Sequence, residues 1–91
     1  MLESEVEAYF VWCVARFGGK SYKFTSPSWR GVSDQIACMP NGETWFIELK
    51  RPKGGVASPH QIQFREDMEK LNQHYACLNT KEKIDLWKTS F

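Results

Sequence analysis

The run Trp45-Phe46-Ile47-Glu48-Leu49-Lys50 sets a carboxylate and an ammonium two positions apart in an otherwise apolar segment. Strand side chains alternate, so Phe46, Glu48 and Lys50 take one face and Trp45, Ile47 and Leu49 the other. Charges in so apolar a strand are costly unless they are paired or hold a metal. Just upstream, Pro40-Asn41-Gly42-Glu43 is a tight-turn sequence. Residues 33–39 and 44–50 are therefore expected to form an antiparallel hairpin. That hairpin carries Asp34, on one face with Ile36 and Cys38, toward Glu48.

The remaining elements follow from periodicity and caps. Residues 3–17 read as a helix with Val6, Phe10, Cys13 and Phe17 toward the core, stopped by Gly18-Gly19. A short strand is expected over 22–25, then a loop over 26–31. Residues 51–57, rich in Pro and Gly, read as a second loop. Ser58-Pro59 forms an N-cap and first helical residue, opening a helix to about Asn72 with Phe64, Met68 and Leu71 inward. A last strand over 74–79 precedes a short helix capped by Thr80, with Ile84, Trp87 and Phe91 as its stripe. The order αβββαβ(α) implies an α/β (α+β) fold with a mixed central sheet flanked by helices.

Length and charge narrow the reading. The 91 residues fit a single domain, 1–91, and a chain this short gains from a partner subunit. The net charge of +1 does not announce a nucleic-acid binder. Its arrangement says more, because Lys20, Lys23 and Arg30 precede Asp34, while Lys50, Arg51 and Lys53 follow Glu48. Cys13, Cys38 and Cys77 are odd in number and widely spaced, and each lies in an apolar segment. They read as reduced core thiols rather than a disulfide or zinc set. No signal peptide or membrane-spanning run is present, so the expected compartment is the cytoplasm, with no membrane partner.

The chemistry centres on Asp34 and Glu48. Two carboxylates about 4 Å apart repel by roughly 4 kcal/mol at intermediate dielectric. A divalent cation removes that penalty, and Mg²⁺ is commonly held by one or two carboxylates. A cation so held can polarise a phosphate and acidify water. Lys50, on the face of Glu48, could hold the water or the phosphate. The plainer reading is a Glu48–Lys50 surface ion pair on an edge strand.

Other residues have two readings as well. Glu3 and Glu7 edge the apolar stripe of the first helix and could reach the sheet, whereas Glu5 points away. Acids near a helix N-terminus are also favourable in themselves. Gln61, one turn before Phe64, could orient a lysine or a water, or be a satisfied amide near a helix start. His60 reads as a surface residue. Trp29 and Arg30 could contact DNA by stacking or by a phosphate fork, or simply close the core beside a solvated arginine. No phosphate-binding Gly-rich loop with Lys-Ser/Thr is present, which argues against an NTPase.

Together, Glu7, Gly31-Val32-Ser33-Asp34, Glu48-Leu49-Lys50 and Gln61 resemble the PD-(D/E)XK nuclease superfamily. More narrowly, the chain resembles the VRR-NUC family in its short stand-alone phage and bacterial form. The likeness includes the Gly-Gly after the first helix, Lys23-Phe24, the Asn-Gly hairpin, the run Phe46 to Pro52 and Ser58-Pro59-His60-Gln61. One departure is Ser33, where the family usually has proline. The segment Val6 to Val11 is also similar to the first motif of archaeal junction resolvases.

The resemblance implies a restriction-endonuclease-like core and Mg²⁺- or Mn²⁺-dependent DNA cleavage. It also implies a homodimer acting like a Holliday junction resolvase. The implied metal ligands are Asp34, Glu48, the Leu49 carbonyl and Glu7 through water. Lys50 and Gln61 would complete the catalytic set. Lys20, Lys23, Trp29, Arg30, Arg51 and Lys53 would face DNA.

The expected function is a structure-selective DNA endonuclease. A related nuclease of flaps, nicks or single strands, and a nucleic-acid-binding module that does not cut, are the alternatives. A second apolar face on the first helix, formed by Ala8, Val11, Trp12 and Ala15, suggests where two copies would meet. Ile62 and Trp87 would extend it, unless the C-terminal helix covers Trp12 within one chain.

Overall fold

A computed structural model describes residues 2–50 and 56–91. The elements are α1 (Glu3–Arg16), β1 (Lys20–Lys23), β2 (Gln35–Cys38), β3 (Thr44–Leu49), α2 (Pro59–Lys70), β4 (His74–Leu78) and α3 (Lys81–Lys88). They build one four-stranded sheet in the order β1-β2-β3-β4. The first three strands are antiparallel, and β4 lies parallel to β3. A parallel neighbour cannot be reached through a tight turn, so the chain crosses over through α2. The expected mixed sheet flanked by helices is present.

α1 and α3 share one sheet face. Val6, Phe10, Cys13 and Val14 pack there with Ala37, Ile47, Leu49, Leu78, Ile84 and Trp87. Phe10 is fully buried and lies 5.3 Å, ring to ring, from Trp87. Burying a ring of this size is worth about 2–3 kcal/mol. α2 covers the other face through Phe64, whose ring sits 5.8 Å from Phe46 and 6.3 Å from Tyr75. The alternation of β3 thus sends Ile47 and Leu49 toward α1 and α3, and Phe46 and Glu48 toward α2.

Several details differ from the sequence reading. β1 begins at Lys20 rather than 22, because the helix stops at Arg16 and a positive-φ Gly18 turns the chain directly into the sheet. Phe17 lies past the helix end and is 40% exposed, and Val14 takes the expected core position. In α2 only Phe64 is buried, while Leu71 stands 62% exposed at the C-cap. Cys13 is a buried free thiol, but Cys38 and Cys77 are free and exposed. Both lie on the α2 side, and that single short helix does not reach over either thiol.

Candidate active site

β2 begins at Gln35, so its ladder with β3 ends at the Gln35–Ile47 pair. Asp34 sits one residue beyond that end. Its backbone carbonyl accepts from the Phe24 N–H at 2.9 Å. Its side-chain Oδ2 accepts from the Leu49 N–H at 3.0 Å. The carboxylate therefore takes the place of the missing ladder acceptor and is held against the end of β3. In a strand the N–H and C=O of one residue project to the same side, so the Leu49 carbonyl is on the Asp34 side too. Ser33 is fully buried, and its hydroxyl donates to the Gln35 carbonyl at 3.3 Å. This bond pins the backbone next to Asp34 at the position where a ring would otherwise stiffen it.

Glu48 is only 1% exposed. Its Oε1 accepts from Gln61 Nε2 at 3.1 Å and lies 3.7 Å from Lys50 Nζ. Its Oε2 is buried and has no hydrogen-bond partner among the described residues. Burial pushes the Glu48 carboxyl up to about 8, helped by the adjacent Asp34 carboxylate, which repels a charged Glu48 and would accept a hydrogen bond only from a protonated one, and opposed by Lys50. A bare buried oxygen beside a second carboxylate is an incomplete arrangement.

Gln61 ties the site to α2. Its Oε1 accepts from the Ser58 N–H at 2.9 Å and from Lys50 Nζ at 3.0 Å. Both partners can only donate, so the amide nitrogen must turn toward Glu48. Ser58 Oγ in turn accepts from the Gln61 N–H at 3.2 Å, closing a reciprocal cap. Gly31, at φ +79°, packs on this helix start, where a Cβ would meet the His60 carbonyl at 2.3 Å. Only glycine lets the 26–32 loop lie so close. A cleft of about 640 Å³ opens between that loop and Ser58, His60 and Gln61.

No protein-family model matches the chain. A solved structure described as a VRR_NUC domain superposes with a TM-score of 0.91, covering 98% of this chain and 96% of that one at 22% identity. At that identity the likeness establishes the fold. The phage protein "Putative nuclease p44" of Acyrthosiphon pisum secondary endosymbiont phage 1 is 34% identical over 80 residues, spanning 88% of this chain and 85% of that protein. The chain belongs to the VRR-NUC family of nucleases.

In this VRR-NUC chain, Asp34, Glu48, Lys50 and Gln61 meet at one sheet end, whereas Glu7 stands apart. Its Oε1 accepts from Gln35 Nε2 at 3.1 Å and lies 3.7 Å from Lys23 Nζ. Gln35 shares the α1 face with Ala37, so its buried amide draws Glu7 to the side of the sheet away from Glu48. Of the α1 acids it is Glu3 whose charge adds to the repulsion felt by Glu48. Glu5 accepts from the Leu2 N–H at 3.3 Å and is spent at the helix start. Among the described residues, no group of three or more His, Cys, Asp or Glu gathers to hold a metal.

Lys20, Trp29 and Arg30 are exposed. Lys23 is exposed as well, although tied to Glu7. Arg51 and Lys53, with the rest of residues 51–55 where a loop is expected, lie outside the described residues. One supporting residue, Gln35, escapes the sequence analysis, and Ser58, expected as an N-cap, also holds Gln61 in the site. The Ser58-x-x-Gln61 spacing was a visible sign of the reciprocal cap. Gln35 gave only the sign of an amide within a short apolar strand.

Proposed function

We propose that this VRR-NUC chain is a divalent-metal-dependent endonuclease of branched DNA, of the kind that includes four-way junctions and flaps. The observation that carries the reading is the buried Glu48 Oε2, without a partner among the described residues and set beside Asp34. Two carboxylates with an oxygen to spare are a donor set suited to a hard dication, and Mg²⁺ needs no third protein carboxylate when waters and phosphate oxygens complete its shell. Asp34, Glu48 and the Leu49 carbonyl would hold Mg²⁺ or Mn²⁺, with Glu7 at most through water. When bound, such an ion polarises a phosphate and eases deprotonation of water.

The chain's own groups do the rest. Lys50 is held by Gln61 and Glu48 with a 16% exposed side chain, so its remaining donors can orient the attacking water or a phosphate oxygen. Gln61 keeps Glu48 Oε1 occupied and thereby leaves Oε2 as the free oxygen. Gln61→Ala frees both neighbours, and cleavage should fall roughly 10- to 100-fold, the usual cost of losing a support to a metal ligand. An unchanged rate in single-turnover assays would remove Gln61 from the machinery.

DNA is expected to lie across the 26–32 loop and the basic residues on either side of the site. Lys20, Lys23, Arg30, Arg51 and Lys53 are the phosphate contacts. Arg30→Ala should reduce the salt slope of binding by about one unit. A slope equal to the parent's would take Arg30 out of the footprint. Binding isotherms between low and moderate salt give this directly.

We also propose a homodimer through the outer face of α1. Trp12 is 53% exposed there, next to Val11 at 41% and the exposed Ala8 and Ala15. α3 does not cover Trp12, because Trp87 turns instead onto Phe10 and is buried in the core. Trp87 is thus withdrawn from the patch, and Ile62 belongs to α2 across the sheet. An apolar face left open on a domain this small suits a second copy, and a two-fold pair suits paired cuts at a branch. Light scattering at tens of micromolar should give a dimer mass, and Trp12→Glu should give a monomer. A parent that is monomeric, or a dimeric Trp12→Glu, would contradict this interface.

The test of the activity is a panel of labelled DNA substrates: four-way junction, flap, nicked duplex, single strand and intact duplex. Mg²⁺-dependent cutting of branched forms over intact duplex is the expected pattern. Binding without cutting on every substrate would favour the non-cleaving module instead. The chain would act in the cytoplasm. Among the described residues, no helix is long and apolar enough to cross a membrane.

A further inference from the structure

The stripe of α2 that the sequence assigns to the core is covered at Phe64 and opens toward its C-terminal end. Phe64 is buried, but Met68 is only half-buried and Leu71 is 62% exposed. Facing them across a groove of about 540 Å³ are Val32 and the 65% exposed Trp29 of the 26–32 loop. The walls are apolar, and Lys70 stands at the rim. Asp67, also at the rim, already accepts from Gln63 Nε2 at 2.9 Å.

The groove adjoins the cleft between the 26–32 loop and the start of α2, which Gln61 of the candidate active site lines. Trp29 and Val32 line both. Gln61 and Met68 are seven residues apart on one helix, roughly 10 Å at 1.5 Å per residue. A strand whose phosphate lies at Lys50 and Gln61 would therefore bring a base a few nucleotides away over this groove, at about 3.4 Å per stacked nucleotide. Gly31 packs close against the His60 backbone, where a Cβ would clash, and this holds the loop backbone that carries Trp29 against the start of α2.

We propose that the groove between Trp29 and the Phe64–Met68–Leu71 face binds an unpaired nucleobase of the DNA strand, one to three nucleotides from the cut. A base inside a duplex has both faces covered by its neighbours and cannot enter. An unstacked base offers an apolar face to the indole and the aliphatic floor, the combination used for sequence-tolerant capture of single strands. Lys70 is placed to meet the adjoining phosphate. Among branched substrates, one bearing an unpaired nucleotide near the branch, such as a flap or a gapped fork, is then bound more tightly than one whose arms are fully paired. This rests on the DNA-nuclease reading above.

The test uses the full chain as Asp34→Asn, with DNA carrying a single 2-aminopurine at successive positions of a flap or in a paired arm. Binding should quench the probe at one unpaired position near the branch and leave paired positions unchanged. Adding Trp29→Ala should remove the quenching and weaken binding of that DNA roughly 5- to 100-fold, the loss typical of one stacked base. Met68→Lys, which puts a long charged side chain into the groove at a half-buried position with Trp29 in place, should also remove the quenching, with circular dichroism checking the fold. The proposal is overturned if no unpaired position is quenched, or if quenching survives both changes. It is also overturned if Met68→Lys lowers the mass in light scattering, because a second copy then fills the groove. Wild-type protein that cuts DNA without such quenching leaves the nuclease reading standing and removes the groove alone. Wild-type protein that cuts none of the DNA removes both.

Discussion

Asp34→Asn, Glu48→Gln and Lys50→Ala are each expected to abolish DNA cleavage, by about 10³-fold or more, while the fold survives. The first two changes keep size and shape and remove the negative charge that a dication needs. Several kcal/mol of charge stabilisation on the phosphate goes with it, and each 1.36 kcal/mol is a factor of ten in rate. Asp34→Asn keeps an oxygen that can still accept from the Leu49 N–H, so the end of the ladder should hold. Lys50→Ala removes the donor that Gln61 positions. Calcium should support DNA binding by the parent without turnover, because its looser coordination serves the chemistry poorly. Circular dichroism checks the fold and single-turnover cleavage checks the rate. Near-parental cutting by Glu48→Gln would show that the site is misplaced.

The second large effect is on stability, and its sign follows from Glu48. The carboxyl is raised from 4.5 to about 8 by burial and by Asp34. The folded chain then binds a proton that the unfolded chain has released between these values, so stability falls as pH rises from about 4.5 through about 8. At 1.36 kcal/mol per pH unit the loss is on the order of 3–5 kcal/mol, large against the total stability of so small a domain. In EDTA, the parent's Tm should drop across this window. Glu48→Gln, neutral throughout and still able to accept from Gln61, should show little of that drop and melt higher than the parent at pH 8. Mg²⁺ or Mn²⁺ should restore the parent at pH 8 and leave Glu48→Gln unmoved. Melting curves that shift in parallel with pH for both proteins would refute the assignment of Glu48 as the buried, strained carboxylate.

The sheet was legible because its signals are local. Alternation in Trp45 to Lys50 and the Asn41-Gly42 turn determine which side chains share a face, and the register pairs Ile36 with Phe46 as that hairpin requires. The meeting of Asp34 with the end of β3 follows from the same hairpin. What was not legible depends on where elements stop and what covers them. Phe17 and Leu71 continue their helical stripes on paper, but each sits at a helix end where the chain departs from the helix axis. Cys38 and Cys77 lie in apolar segments, yet among the described residues no element covers them. Glu7 has the spacing of a site acid. Its destination was decided by Gln35, a residue on another element whose partner no single-strand pattern reveals.

Cleavage of an end-labelled flap DNA by wild-type protein freed of metal with EDTA, before and after Mg²⁺ is restored and beside Asp34→Asn, bears most directly on the central claim. Asp34 and Glu48 together should make the wild-type inactive in EDTA and active again with Mg²⁺ or Mn²⁺, while Asp34→Asn stays inactive in both. Full activity in EDTA, or Mg²⁺-dependent cutting by Asp34→Asn at the wild-type rate, would contradict it.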